Sequence, residues 1–235
     1  MTDRAPAASR QLPLDLPHNA AMTRADYLVG DANRAAIALI DAWPDWPAQA
    51  VLLTGPAGSG KTHLVEIWRT DSGGAVRAAG DLGDVETLVK AGAVAVEDLH
   101  NGPLDETALF HLINLSNERR VPLLMTSRRP AAALPVRLPD LASRLRAMRP
   151  LELGAPDDAL LRLVLVKLFA DRQLAVDAGV IETIVTRMER SLEAANRVVA
   201  ELDRAALAGG RAISRRLAAT TLAQVIDRQP DLFAD

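Results

Sequence analysis

The chain has 235 residues, 49% hydrophobic, 24% charged and 3% aromatic, with a formal net charge of −3 and a pI near 5.8. That apolar fraction at low net charge buries a core and excludes a chain disordered throughout. No apolar run reaches the ~18 residues of a membrane span, residues 1–18 lack the apolar stretch of a signal peptide, and the absence of cysteine removes disulfide scaffolds, thiolate zinc sites and thiol catalysis.

The four histidines, His18, His63, His100 and His111, show no metal-ligand spacing. A cytoplasmic protein with no membrane contact is expected. Only Lys61, Lys90 and Lys167 of the 27 basic residues are lysines, so a lysine at a given place is stronger evidence of a role than an arginine. The acidic pI supplies no global basic footprint for nucleic acid.

In chain order, residues 1–24 read as a flexible tail. Asn33 to Trp43 is amphipathic, with Ala36, Ile37, Ile40 and Trp43 at helical spacing, Asp31 or Asn33 as the cap, and Pro44 and Pro47 as the stop. A buried strand over 50–54 leads into a Gly-rich loop over 55–62 and a helix opening at 63–68. A second apolar run, 91–96, ends in Glu97-Asp98. A helix over 105–120 follows, and a third apolar run, 121–127, ends in Thr126-Ser127. Strands alternating with helices predict an α/β fold with a parallel sheet covered on both faces, whose ligands bind at the carboxyl ends of the strands. From about residue 155 only helical patterns remain, over 156–174, 177–190, 191–208 and 214–227, which predicts a small all-α domain.

Gly55-Pro56-Ala57-Gly58-Ser59-Gly60-Lys61-Thr62 fits G-x-x-x-x-G-K-[ST] without deviation, with a strand before it and a helix after it. The glycines let backbone N–H groups turn inward around phosphates, and the helix N-terminus adds positive dipole. Lys61 is expected to reach the β- and γ-phosphates and the Thr62 hydroxyl to ligate Mg²⁺, with His63 completing the segment that binds ATP or ADP. Glu97 at its strand end suits the metal, and Asp98 or the hydroxyls of Thr126-Ser127 suit an attacking water or the γ-phosphate.

The order of phosphate loop, acidic strand end, polar strand end and helical lid resembles the AAA+ ATPases. GPAGSGKTHL, the VED strand end, LLMTSRRP and LPDLASRL (138–145) are similar to the DnaA branch of that superfamily, and within it the chain is most similar to the Hda-type regulatory inactivators of DnaA, from about Asp26 to Ile226. The resemblance implies a tail over 1–24, an AAA+ P-loop NTPase core over 25–153, an α-helical lid over 154–228 and a C-terminal tail over 229–235. The helix-turn-helix domain that ends DnaA is not expected after the lid.

Gln11-Leu12-Pro13-Leu14-Asp15-Leu16 looks like the sliding-clamp-binding peptide of Hda-type proteins, placing Leu14 and Leu16 in an apolar groove and the Gln11 amide at a neighbouring pocket. Gln229 to Phe233 resembles a second such peptide. Arg144 matches the arginine finger, a guanidinium set against the γ-phosphate of a neighbouring subunit's nucleotide. Two departures stand out. Arg128 occupies a position where relatives usually carry an acidic residue. Glu193 occupies the place of the lid's sensor arginine, with Arg190 and Arg197 as candidates one turn to either side.

The resemblance implies a nucleotide-bound regulator that docks on the DNA polymerase III sliding clamp (its beta subunit), meets DNA only through the clamp, and stimulates ATP hydrolysis by DnaA. A homo-oligomer stays open. The rivals are a self-contained ATPase acting as a helicase loader, and a DnaA-like protein binding DNA through arginines 187–216, a face that the interleaved acids make a solvated one.

Overall fold

The computed structural model describes residues 22–209 and 212–227, with side chains to residue 225. Its centre is a parallel sheet of strands β1 (Ala50–Thr54), β2 (Ala75–Ala78), β3 (Val94–Glu97), β4 (Leu123–Ser127) and β5 (Arg149–Glu152), in the order β2-β3-β4-β1-β5. Around it run α1 (Arg34–Asp41), α2 (Lys61–Ser72), α3 (Val85–Val89), α4 (Glu106–Arg119) and α5 (Pro139–Ala147).

The central strands are apolar throughout because helices cover both faces, and the period-2 alternation decides which side chain meets which layer. Leu52, Val94, Val96, Leu123 and Met125 face a core shared with α3, α4 and α5. Val51, Leu53, Ala95 and Leu124 face the opposite core, shared with α1 and α2. There the chain's three tryptophans close on one another, Trp46 stacked on Trp68 at 5.3 Å and Trp43 edge-on to both.

The sheet has two strands that the apolar runs did not announce. β2 and β5 lie at its edges and are half-buried to exposed, so neither carries a hydrophobic run. Pro150 is tolerated in β5 because an edge strand leaves one side of its ladder unpaired. The run 91–96 is strand only from Val94, because Ala91 to Ala93 belong to the turn after α3, where Gly92 has a φ of 80°.

Asn33 sits at the start of α1 but does not cap it: its Oδ1 accepts from the Gly30 N–H at 2.9 Å and its amide donates to the Leu28 carbonyl at 3.0 Å. Asp31 pairs instead with Arg34. Asp105 does cap α4, accepting from the Ala108 N–H at 2.9 Å. Residues 22–24, assigned to the tail on composition, are already engaged: the Arg24 guanidinium pairs with Asp41 at 2.7 Å and the Thr23 carbonyl lies 2.9 Å from His63 Nε2.

The remaining helices, α6 (Asp158–Asp171), α7 (Ala178–Arg187), α8 (Leu192–Gly209) and α9 (Arg215–Asp227), form a separate core around Leu161, Leu165, Phe169, Ile184, Val199 and Leu202. Helix α7 ends three residues before Arg190, so Arg190 lies in the connection to α8 rather than on one helix with Arg197. Ser191 makes the new start, its hydroxyl accepting from the Ala194 N–H at 3.2 Å. No helix among the described residues is long and apolar enough to cross a membrane.

Candidate functional site

β1 and β3 flank β4, so the carboxyl ends of three adjacent strands converge. The loop after β1, the acidic end of β3, the turn after β4 and the start of α8 enclose a cavity of about 350 Å³. That is within the range of small-molecule sites.

The loop 55–62 is built by its glycines. Gly58 and Gly60 have φ of 65° and 99°, values that L side chains rarely adopt. A Cβ on Gly58 would also lie 2.2 Å from Ser191 Oγ, so the lid can touch the loop only because this residue has no side chain. The contact is direct, with the Leu192 N–H donating to the Gly58 carbonyl at 2.9 Å. Gly60 opens α2 and aims that helix's N-terminus at the cavity.

Ala57, Gly58, Gly60, Lys61, Thr62 and His63 all line the cavity. Gly55, Pro56 and Ser59 shape the loop behind them, and each supplies an oxygen to the Lys61 ammonium: the Gly55 and Pro56 carbonyls at 2.7 and 2.8 Å and Ser59 Oγ at 3.4 Å. Burial, and next the positive charge of Arg128, lower the Lys61 ammonium from its ordinary value to about 8, against the opposing pull of Asp98 and Glu97.

Glu97 is partly buried beside the loop, next to the Thr62 hydroxyl, and has an Oε1 without a hydrogen-bond partner. Burial raises its carboxyl above the usual range, Thr62 pulls it down and Asp98 adds repulsion. Asp98 lines the cavity with a φ of 61°, a left-handed backbone that Asp tolerates better than most residues. Its backbone N–H donates to Thr126 Oγ1 at 2.9 Å, so the buried Thr126 fixes the strand end that presents the carboxylate.

Ser127 does not face the cavity. It is fully buried, its carbonyl accepts from the Gly55 N–H at 3.2 Å, and its hydroxyl accepts from the Arg129 N–H at 2.9 Å. Its carbonyl and hydroxyl hold the loop and the turn.

The lid candidates divide. Arg190 pairs with Asp158 and does not line the cavity. Glu193 and Asn196 do line it, and Arg197 reaches Glu193 at 2.8 Å and Glu189 at 3.7 Å. Arg144 is exposed on α5, away from the lining, with its guanidinium carbon 5.3 Å above the Phe110 ring. Gln11, Leu12, Leu14, Asp15, Leu16 and Gln229 to Phe233 lie outside the described residues.

Sequence reasoning gave no role to Tyr27, His100 or Asn196. Tyr27 is buried against Gly60 and edge-on to His63 at 5.1 Å, and burial pushes its phenol up. His100 Nδ1 accepts from the Arg128 N–H at 3.1 Å. A loop aromatic and a lone histidine carry no spacing signal, and only the tertiary fold brings them here.

Magnesium fits this donor set. No group of three or more His, Cys, Asp or Glu side chains able to hold a metal occurs among the described residues. Mg²⁺ is ordinarily held by one or two carboxylates together with substrate phosphates rather than by a protein cage. The buried, unpartnered Glu97 oxygen beside the Thr62 hydroxyl is such a partial site.

No protein-family profile and no curated protein sequence matches the chain. Solved structures do. Domain III of the replication initiation protein DnaA from Thermotoga maritima aligns with a TM-score of 0.73 at 18% identity, covering 89% of this chain and 98% of that one. AMPPCP-bound DnaA from Aquifex aeolicus aligns at 0.64 and 16%, over 87% of this chain and 68% of that one. The RuvB Holliday junction branch migration motor of Thermotoga maritima aligns at 0.64 and 18%, over 83% and 70%. At such identities the likeness speaks for the fold, and the fold is that of the AAA+ P-loop NTPases, with the start of α8 in contact with the loop 55–62.

Proposed function

We propose that the chain is a nucleotide-bound AAA+ regulator of replication initiation that docks on the DNA-loaded sliding clamp and stimulates ATP hydrolysis by DnaA, returning the initiator to its ADP form. The observation that carries this reading is the position of Arg144. It is exposed, outside its own chain's cavity, on a fold that aligns with DnaA domain III. An arginine so placed lies away from its own chain's cavity and is accessible to a nucleotide held by another subunit.

Within its own cavity the chain carries groups that suit the phosphates of ADP or ATP. Loop amides and the α2 N-terminus cradle phosphate oxygens, and Lys61 exchanges its bonds to the loop carbonyls for charge-assisted bonds to phosphate. Thr62 and Glu97 are placed to hold Mg²⁺, which when bound neutralises phosphate charge. Asp98 is placed to orient a water. Glu193 sets a negative charge where an arginine would favour the γ-phosphate, which supports a bound-nucleotide role over rapid turnover. Gln11, Leu12, Leu14, Asp15 and Leu16 are the clamp contact in this reading, and DNA is met through the clamp.

The test is hydrolysis of ATP pre-bound to DnaA with DNA-loaded clamp, with and without this protein. The expected result is acceleration that Gln11→Ala and Arg144→Ala each abolish. No acceleration by the wild type, with clamp binding confirmed, overturns the regulator reading. Substantial turnover by the chain alone, which the cavity-facing Asp98 and intact loop would support, favours a self-contained ATPase instead.

A further inference from the structure

Arg128 is one of 24 arginines, so its identity counts for little and its placement must carry the argument. It is the first residue after β4 and lines the same cavity as Lys61, Thr62 and Asp98. The turn that bears it is pinned on both sides, by the Arg129 N–H donating to the fully buried Ser127 hydroxyl at 2.9 Å and by the Arg128 N–H donating to His100 Nδ1 at 3.1 Å. The His100 side chain is 10% exposed, so its ring is held, and an accepting Nδ1 fixes the neutral tautomer with the proton on Nε2. Arg128 is exposed and forms no ion pair among the described residues, although Asp98 lines the same cavity.

Two cations thus line one cavity, in which each opposes the other. A multiply charged anion between them relieves that opposition more fully than the single Asp98 carboxylate in the same cavity does. A planar guanidinium offers that anion a fork of donors that an ammonium lacks.

We propose that Arg128 is a phosphate-binding residue of this site, contacting in cis the β/γ end of a nucleoside di- or triphosphate, and that His100 is its positioning residue. The inference rests on the nucleotide reading above and adds to it a second cation where the resemblance expects an acid. It gives the chain an affinity that grows with the number of phosphates.

The experiment is a titration of the full chain with methylanthraniloyl-labelled ATP and ADP, and competition by AMP. The forms compared are the wild type, Arg128→Ala, Arg128→Lys, His100→Leu and His100→Asn. Arg128→Ala is expected to weaken ATP and ADP by about tenfold to a hundredfold and AMP by less than about twofold, the range of a lost hydrogen-bonded charge. Arg128→Lys falls between. His100→Leu weakens ATP and ADP without touching AMP, and His100→Asn, whose Oδ1 can accept the same N–H, restores them. A structural role alone would lower all three nucleotides together. Equal binding by Arg128→Ala and wild type, or an equal loss for AMP, overturns the assignment of Arg128. A wild type that binds none of the three overturns the nucleotide reading itself.

Discussion

The loop 55–62 and the start of α8 meet at the Gly58 carbonyl, yet they are made in opposite ways. The loop is a backbone object: its shape follows from which residues lack a side chain, and its ligands are N–H groups that every sequence possesses. The α8 edge is a side-chain object. Glu193, Asn196 and Arg197 line or border the cavity through their side chains, and Arg197 is shared between Glu193 on its own helix and Glu189 in the connection before it. A motif can specify the first kind of surface by position alone. It cannot specify the second.

The largest effect separates the two regions energetically. The lid has its own core, in which Leu165 is fully buried, whereas Leu52 is buried in the sheet core. Either residue changed to Ala is expected to cost about 2–5 kcal/mol. Leu165→Ala should abolish slow hydrogen exchange in α6 to α9 while β1, β3 and β4 stay protected, and Leu52→Ala should lower protection everywhere. Loss of protection across the whole chain in Leu165→Ala would show that loop and lid are one cooperative unit.

Next comes Lys61→Ala. It removes two short bonds to the loop carbonyls and the charge that exchanges them for phosphate. Affinity for labelled ADP is expected to fall by at least about a hundredfold, with the far-ultraviolet circular dichroism unchanged. Retained affinity would move the phosphate site away from the loop and break the comparison at its stronger side.

The central sheet and the loop 55–62 were legible because both rest on local pattern: apolar runs bounded by turns, and a loop whose residue types follow from its backbone. β2 and β5 were not, since an edge strand with half-exposed residues such as Arg77 and Glu152 has no apolar run to show. Position alone suggests Asp31 or Asn33 as a cap, but Asp31 pairs with Arg34 and the Asn33 side chain is spent on Gly30 and Leu28. The position of Ser127 at a strand end suggests chemistry, and the fold adds that its buried hydroxyl supports the next turn. His100 became visible only when folding set it beneath Arg128.

A pH profile examines the loop more finely. The folded Lys61 ammonium sits at about 8, below the ~10.4 of an unfolded lysine, so its charge destabilises the native state wherever it is present. That cost is complete below about pH 8 and fades as pH rises from there toward ~10.4, so this group makes the protein more stable with rising pH in that window. Phosphate acts oppositely, because it favours the charged amine. Nucleotide affinity should therefore fall from about pH 8 upward, by about tenfold per unit until the bound-state value is reached, and Lys61→Arg should show no such fall. An identical decline in Lys61→Arg would assign it to another group.

The smallest effect lies on the lid side and tests whether that surface has any say in nucleotide choice. Glu193 is 57% exposed and its pair with Arg197 is solvent-screened, so breaking the pair costs little stability, about 0.2–1 kcal/mol. Its carboxylate nevertheless lines the cavity that holds Lys61 and Arg128, and a negative charge there opposes a γ-phosphate more than it opposes the end of ADP. Glu193→Gln keeps the shape, removes the charge and leaves Arg197 its contact with Glu189. Affinity for ATP should rise by about threefold relative to ADP in parallel titrations, a change of the size expected for one screened charge. An unchanged ratio would mean that the lid edge discriminates nothing and that α8 serves the loop only as a wall, through the backbone bond from Leu192 to Gly58.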